Sequence, residues 1–172
     1  IIIMYEFFKR NHSYLQAGFL LTFAASIGQT FYFALYAGSI RNELGLSHGG
    51  YGGLYTAATL LSALTMLYTG KMVDYLNVRY LSFFVLILLG LSSIAFSFIN
   101  SAIFLLIVFY LLRITGQGMS THTSSTFIAK TFTSMRGKAI AVTVLGRAFG
   151  EMVMPITGII MTKLDGTAKG GI

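Results

Sequence analysis

One arginine interrupts a long apolar stretch of the chain. Arg113 lies in "FLLIVFYLLRITGQGMSTHTSST", and Gln117, Ser120 and Ser124 follow it at positions that share one face of an α-helix. A charged side chain at the centre of a membrane helix costs about 2.5–3.5 kcal/mol and generally faces protein or water. Arg113 and Gln117 are therefore candidates for substrate or ion handling. The alternative is a structural arginine that pairs with backbone carbonyls or a neighbouring helix.

A second arginine has an acidic neighbour. In "AIAVTVLGRAFGEMVMPITG" Arg147 precedes Glu151 by four residues, and Thr143 precedes Arg147 by four, so the three are expected on one helical face. Arg147 could attract an anion while Glu151 takes part in proton coupling, or the two could form a self-neutralising structural pair. Gly146 and Gly150 form a small-residue motif of the kind found where membrane helices pack closely.

A weaker polar face is expected earlier in the chain. Gln29 is the one amide in its apolar stretch, and it either makes an interhelical hydrogen bond or lines a cavity. His122 is interpreted as packed or hydrogen-bonded rather than as a proton relay. The residues that share the face of Gln29 are Thr22, Ser26, Tyr32 or Phe33, and Tyr36.

The composition places the chain in a membrane. Its 172 residues are 55% hydrophobic and 10% charged, with a mean hydropathy of +0.76, whereas soluble domains carry about 25% charged residues. The absence of cysteine excludes disulfides and thiolate metal sites. Five acidic residues and no hydrolase or phosphate-loop motif argue against an enzyme, and no cofactor is expected.

Five windows have the length and character of membrane-spanning helices, which need about 20 mostly apolar residues. Helices are expected throughout, because lipid offers no partners for an open backbone. The fold class predicted is all-α, a polytopic membrane helix bundle. The windows are Leu15 to Ile40, Gly50 to Val73, Tyr80 to Ile99, Ala102 to Ser124 and Ala139 to Thr162.

Lysines and arginines predict the orientation. Seven lie on one side of the predicted membrane and three on the other, so the N-terminus is expected in the cytoplasm of a multi-pass protein of the cell (inner or plasma) membrane. The net charge of +7 is then a topology signal, and nucleic acid is not an expected partner. We expect a cytoplasmic segment at 1–14, a partial bundle at 15–163 and a polar tail at 164–172. Five spans suggest a fragment.

Charges of both signs occur together in "GKMVDYLNVR", residues 70–79. The stretch follows the second predicted span on the cytoplasmic side. Gly70 would allow close helix packing there. Asp74 is expected to accept hydrogen bonds from a helix N-terminus or to pair with Arg79 or Arg136.

This stretch resembles the signature loop of the major facilitator superfamily, whose pattern is Gly, any, Leu, Ala, Asp, Arg, any, Gly, Arg, then Arg or Lys. Gly70 and Asp74 match and Arg79 fills the last basic position, whereas Tyr75, Asn77 and Val78 depart from the pattern. "RITGQG" at 113–118 is similar to the family's Arg and Gln-Gly motif in span four, with one extra residue. "RGKAIAVTVLGRAFGEMVMPITG" resembles the following loop and fifth span.

The resemblance implies twelve spans in two six-helix halves, of which this chain would supply spans one to five and lack the second half. It implies a substrate site between the halves and a loop at Gly70, Asp74 and Arg79 that acts as a conformational latch. Secondary active transport of a small solute by alternating access is expected, with an organic anion and proton coupling as open options, and uptake and efflux both compatible. A non-transporting scaffold or sensor is the alternative. The wall residues implied are Gln29, Tyr32, Arg113, Gln117, Arg147 and Glu151.

Overall fold

The chain folds as a bundle of helices. The computed structural model describes the backbone of residues 2–169 and the side chains of residues 6–153 and of Ile156, and within those residues there is no strand. The α-helices are α1 (Ile2–Ala24), α2 (Thr30–Leu44), α3 (His48–Thr69), α4 (Met72–Tyr75), α5 (Val78–Phe96), α6 (Ala102–Leu112), α7 (Thr121–Thr131) and α8 (Arg136–Lys169).

Three helical stretches within the described residues are long and apolar enough to cross a membrane: Glu6–Leu44, Val78–Phe96 and Ala102–Thr131. They confirm a polytopic helical bundle and correspond to predicted spans one, three and four. Predicted spans two and five are helices α3 and α8, of 22 and 34 residues. Both exceed the length a span needs. They differ from the three apolar stretches in composition, because α3 is richer in glycine and threonine and α8 carries several charges.

Side chains cap the N-termini of three helices, where the backbone N–H groups of the first turn have no partner within the helix. Ser47, Asn77 and Ser101 precede α3, α5 and α6, and each side-chain oxygen accepts a hydrogen bond from a backbone N–H of the first turn, at 3.0–3.3 Å. Gly45 ends α2 with a φ of 62°, the left-handed conformation that glycine adopts without strain.

Predicted span one is not a single helix. A 3₁₀ turn at Ala25–Gly28 follows α1, and Gln29 then adopts an extended conformation with φ −85° and ψ 156° before α2 begins. The N-terminal part of α1 also contains a kink, at Asn11, where the side-chain amide donates to the Phe7 carbonyl at 2.8 Å. The first membrane stretch is therefore two helices joined by a break.

Predicted span four is continuous but contains a wide turn. Residues Arg113–Ser120 form a π-helix between α6 and α7, and the Ser120 hydroxyl donates across it to the Thr115 carbonyl at 2.8 Å. This composite span lies at the centre of the bundle, where α6 packs on α3 and α5, and α7 packs on α1 and α8. Its polar π segment is held between the 3₁₀ turn of span one and helix α3.

Other boundaries differ from the predicted ones. Helix α3 ends at Thr69 rather than at Val73, and the separate turn α4 follows it. Val73 is instead buried in a cluster with Leu81 and Val85 of α5. Helix α8 extends beyond the predicted end at 162, so residues 164–169 of the predicted polar tail are helical, and residues 170–172 lie outside the described part of the chain.

The two ends of the bundle have distinct cores. Aromatic side chains fill the end that contains Ser47, with Phe33 and Phe109 fully buried and their ring centroids 4.8 Å apart. At the opposite end, which we call the Asp74 end, Leu15, Ile128 and Phe132 pack together. The region between these cores holds the polar side chains.

Candidate functional site

The backbones of spans one and four touch where both depart from α-helical geometry. A Cβ atom on Gly116 would lie 2.8 Å from the Gly28 Cα atom and 2.9 Å from the Gly28 nitrogen. A Cβ on Gly28 would in turn lie 2.9 Å from the Gly116 Cα atom. Only glycine permits this approach. We call the contact of Gly28 with Gly116 the glycine crossing.

Arg113 reaches toward this crossing from the first turn of the π segment. Its Nη1 atom lies 3.5 Å from the Gly28 carbonyl oxygen, and its Cζ atom lies 5.3 Å from the centroid of the Tyr55 ring in α3. This placement over an aromatic face is favourable for a cation. The buried Nε atom has no hydrogen-bond partner among the described residues, so the guanidinium keeps a free donor.

A cavity of about 180 Å³ lies beside Arg113, between α3 and the π segment. At roughly 30 Å³ per molecule it has room for about six waters. The buried Gln117 Oε1 atom has no partner within the described residues, so an unused acceptor and an unused donor belong to two residues that line one space. The lining consists of Thr59, Ser62, Ala63, Met66, Arg113, Ile114, Gln117 and Gly118.

Gln29 is at the break in span one, directly after Gly28. Its side chain is 9% exposed, and its Nε2 atom is buried without a hydrogen-bond partner in the part of the chain that the structure describes. The interhelical hydrogen bond that was one expectation for Gln29 is not formed from Nε2. Unpaired buried amides are rare in folded proteins, so the Gln29 amide is a distinctive feature of this break.

Tyr32 is separated from Arg113 by packed rings. Its ring lies 5.4 Å from that of Tyr36 and 5.6 Å from that of Phe96, so it belongs to the aromatic core near Ser47. The connection to the polar region runs through Phe33, whose ring is 6.0 Å from Tyr32 and 5.7 Å from Tyr55. Tyr32 is therefore connected to the candidate site through the rings of Phe33 and Tyr55 and is not itself part of the cavity lining.

Arg147 and Glu151 form the pair that their spacing predicts. The Arg147 Nε atom is 3.5 Å from Glu151 Oε1, and both side chains are 44% exposed. Thr143 does not share their environment, because it is 1% exposed and its carbonyl accepts a hydrogen bond from the Thr22 hydroxyl of α1. Thr143 thus lies on the same continuous helix, at its buried edge against α1, and the charged pair is not part of the lining of the Arg113 cavity.

Helix α8 packs on α1 through the predicted small-residue motif. A Cβ atom on Gly146 would collide with the Phe19 carbonyl, and one on Gly150 with the Ser26 side chain. The Ser26 hydroxyl donates within its own span, to the Phe23 carbonyl at 2.6 Å. The motif confirms the close helix approach expected for it.

The polar stripe predicted on span four is divided between two neighbours. Arg113 and Gln117 face the cavity with α3, whereas Ser124 is buried against span one and donates to the Gly18 carbonyl at 2.9 Å. The reason is the π segment, which has more residues per turn than an α-helix, so positions that follow it rotate away from the expected face. The prediction of one stripe is wrong in that respect.

Helix α3 supplies site residues that were not predicted. Tyr55, Thr59 and Ser62 follow one another at i+4 and i+7, the spacing that places residues on one helical face. That signal was present in the sequence, but α3 contains no charged residue that would have directed attention to it.

The Asp74 end contains a second polar cluster. The Asp74 carboxylate pairs with Lys130 of α7 at 2.7 Å, and His122 Nε2 lies 3.0 Å from the Gly70 carbonyl oxygen. The expected partners Arg79 and Arg136 are wrong, because the loop packs on α7 and brings Lys130 closest. The hydrogen bond and charge of Lys130 lower the pKa of Asp74, and the charge of His122 adds to that effect. The interpretation of His122 as hydrogen-bonded is confirmed.

Arg79 lies in the first turn of α5, whereas Gly70 and Asp74 lie in the connection between α3 and α5. Its backbone N–H donates to the Asn77 side chain at the start of α5. Within the described residues its guanidinium forms no ion pair. Of the three predicted latch residues, Gly70 and Asp74 are hydrogen-bonded to span four, and no side-chain hydrogen bond of Arg79 is found among the described residues.

Two larger cavities open at the Asp74 end. One of about 590 Å³ lies between the first turns of α1 and the connection that follows α7, and one of about 460 Å³ lies between α7 and α8. Among the described side chains, no three histidine, aspartate or glutamate residues lie close enough to share a metal ion. The chemistry available at these sites is hydrogen bonding and charge pairing.

Comparison with known proteins gives one match. Residues 18–167 match the family model described as the Major Facilitator Superfamily. The match includes both halves of the glycine crossing, the Asp74–Lys130 pair and the Arg147–Glu151 pair. No curated protein and no solved structure matches the chain.

Proposed function

The chain belongs to the Major Facilitator Superfamily, and from that premise we propose that it moves a small solute by alternating access around the glycine crossing. Family membership and the apolar helices make it a multi-pass membrane protein of a transporter family. Secondary transporters bind substrate and coupling ions near the membrane midplane, typically at discontinuous helices. Here span one is broken at Gln29 and span four contains the π segment, and these two irregular segments meet at the glycine crossing.

The observation that carries the proposal is the set of unused polar atoms at the crossing. Gln29 Nε2, Arg113 Nε and Gln117 Oε1 are all buried without partners among the described residues. A buried polar atom left unpaired costs about 1–3 kcal/mol, and a solute or ordered water would supply the missing bonds. A π segment is also frequent at functional sites.

An organic anion is the substrate class we favour. Arg113 contacts a carbonyl and an aromatic ring but no acidic side chain in the described residues, so its charge is not neutralised by the protein. A carboxylate would satisfy a planar guanidinium well. Arg147 is a weaker candidate because Glu151 already pairs with it.

Proton coupling is proposed through Glu151. Its carboxylate is half-exposed beside Arg147, on a side of α8 that does not pack on α1. Protonation would release Arg147, and release on one side of the membrane only would couple proton movement to the solute. A second helix bundle facing this side, as in a complete transporter, is part of the proposal, as is a cytoplasmic N-terminus.

The Asp74–Lys130 pair is proposed as the conformational latch. This pair joins the connection between α3 and α5 to the last turn of α7. The His122–Gly70 contact joins the same connection to the first turn of α7. The proposal is that these contacts change when that end of the bundle opens. Rates of interconversion, rather than substrate affinity, would then respond to their removal.

The experiment is solute uptake by the protein in proteoliposomes, with a panel of mono- and dicarboxylates and with or without a proton gradient. Arg113→Gln is expected to lower substrate affinity about 10- to 100-fold, because a charge-assisted hydrogen bond contributes roughly 1.5–3 kcal/mol. Arg113→Lys should keep part of the affinity. Arg41→Gln in α2, which removes an arginine whose one side-chain hydrogen bond among the described residues is to its own helix, is the matched control.

Two results separate the proposal from a non-transporting scaffold or sensor. If Arg113→Gln and Arg41→Gln have equal affinities, the assignment of Arg113 to the substrate is wrong. If no solute moves under any gradient, the scaffold interpretation replaces transport. Glu151→Gln tests coupling separately, since it should remove the proton dependence while binding persists.

A further inference from the structure

The cavity between α7 and α8 has a lining of one charge sign. Lys130 lies in the last turn of α7 and Arg136 begins α8, and both side chains border a space of about 460 Å³. No acidic residue is part of the lining, which consists of Ser125, Thr126, Ala129, Lys130, Arg136 and Ile140. Asp74 lies outside the lining and already pairs with Lys130, whereas Arg136 forms no ion pair among the described residues, so Arg136 is the charge that makes this cavity favour an anion.

The lining changes in character with depth. Lys130 and Arg136 lie nearest the connection between the helices, and Thr126 and Ile140 lie one helical turn further along α7 and α8. Val144, another turn along α8, is 41% exposed. The order is thus charged, hydroxyl and apolar, which is the order of phosphate, ester and acyl chain in a phospholipid.

The polar groups of this lining are available to a ligand. In the described residues the hydroxyls of Ser125 and Thr126 donate no hydrogen bond, whereas those of Ser124 and Thr131 do. Arg136 uses Nε to bond the Phe132 carbonyl at 3.2 Å, which leaves its terminal nitrogens free for a phosphate. Lys130 has three N–H donors; it donates to Asp74 at 2.7 Å and to the Val73 carbonyl at 3.5 Å, which leaves one donor for a ligand.

We propose that this cavity binds an anionic phospholipid, with the phosphate between Lys130 and Arg136 and an acyl chain along Ile140 and Val144. A lipid is favoured over a soluble phosphate because Val144, one turn beyond Ile140 on α8, exposes an apolar side chain that an acyl chain would cover and a soluble phosphate would not. The lipid would share Lys130 with Asp74. Lipid composition would therefore act on the latch without touching Arg113.

The test uses the absence of cysteine from the chain. Val144→Cys provides one labelling position for a small fluorophore beside the predicted acyl chain. The protein is placed in phosphatidylcholine vesicles that contain a small fraction of acyl-brominated phosphatidylglycerol or the same fraction of acyl-brominated phosphatidylcholine. Bromine quenches only a fluorophore that it contacts, so stronger quenching by the anionic lipid is expected.

Arg136→Gln should weaken the quenching by phosphatidylglycerol about fivefold in apparent affinity, in line with the contribution of one basic residue at an anionic surface. Arg136→Lys should restore most of it. Lys138→Gln removes the same charge from an exposed position that does not border the cavity and should leave the quenching unchanged.

Three outcomes would overturn the proposal. Equal quenching by the two brominated lipids would show no preference for an anion. Equal effects of Arg136→Gln and Lys138→Gln would show general surface attraction rather than a site. The third outcome is displacement of the lipid by millimolar glycerol phosphate but not by the same concentration of a phosphate-free salt. It would assign the cavity to a soluble phosphate compound.

Discussion

Adding one methyl group at the glycine crossing should destabilise the bundle. In Gly116→Ala the new Cβ atom would lie 2.8 and 2.9 Å from backbone atoms of Gly28. Carbon atoms in favourable contact are about 3.5–4.0 Å apart. Spans one and four must therefore separate by roughly 1 Å, because no flexible side chain is present to move aside.

The size of the effect follows from this overlap. Overpacking of a tight interior typically costs about 1–3 kcal/mol. The control is Gly90→Ala in α5, where an added Cβ meets no atom within 4 Å and where alanine stabilises a helix by about 0.5–1 kcal/mol relative to glycine. The two variants make the same chemical change, and they should differ by about 1.5–4 kcal/mol with opposite signs.

Thermal unfolding of the purified protein in detergent measures this difference. At about 2–4 °C per kcal/mol for a chain of this size, Gly116→Ala should melt at least about 3 °C below Gly90→Ala. Transport should fall with it, since Arg113 contacts the Gly28 carbonyl at the same crossing. If Gly116→Ala is as stable as Gly90→Ala, the two backbones are not in contact and the reasoning fails.

Two further predictions concern the ends of span four. Acid should break the Asp74–Lys130 pair: the pKa of Asp74 is lowered from its ordinary 3.8, so the stabilisation is present above that pH and is lost as the pH falls through the lowered value. The infrared carboxylate band, recorded as the difference between the protein and Asp74→Asn across an acid titration, should show the protonation of Asp74. A transition that persists unchanged in Asp74→Asn would assign it to another group. Ser124→Ala removes the buried hydrogen bond to the Gly18 carbonyl and should lower the free energy of unfolding by about 0.6–1.7 kcal/mol. Ser125→Ala breaks no such bond and should lower it less. Equal melting temperatures of the two variants would contradict the role of Ser124.

The helices and their caps could be predicted because they depend on neighbouring residues. Apolar length and the absence of backbone partners in lipid require helices. Ser47 caps α3 because a hydroxyl three residues before Gly50 lies within reach of its N–H. The family could likewise be predicted from short motifs, since these lie in continuous stretches such as residues 70–79 and 113–118.

The breaks in spans one and four were less accessible. Gly28 and Gly116 are 88 residues apart in the sequence, and nothing local to either indicates the other. The π segment is stabilised where it packs on α3 and span one, so its extra residue per turn is a consequence of packing. A period of 3.6 residues assumed throughout therefore placed Ser124 on the wrong face.

By itself the sequence determined that this is a helical membrane protein of a transporter family, roughly where its helical stretches lie, and that Arg113, Gln117, Arg147 and Glu151 are charged or polar side chains in apolar surroundings. Only the tertiary structure decided that Asp74 pairs with Lys130 and that Arg113 borders α3 at the glycine crossing. It also decided that Arg147 and Glu151 lie apart from that cavity. The physical reason is that helix formation depends on residues within one turn, whereas partners between helices depend on the rotation and register of each helix against its neighbours.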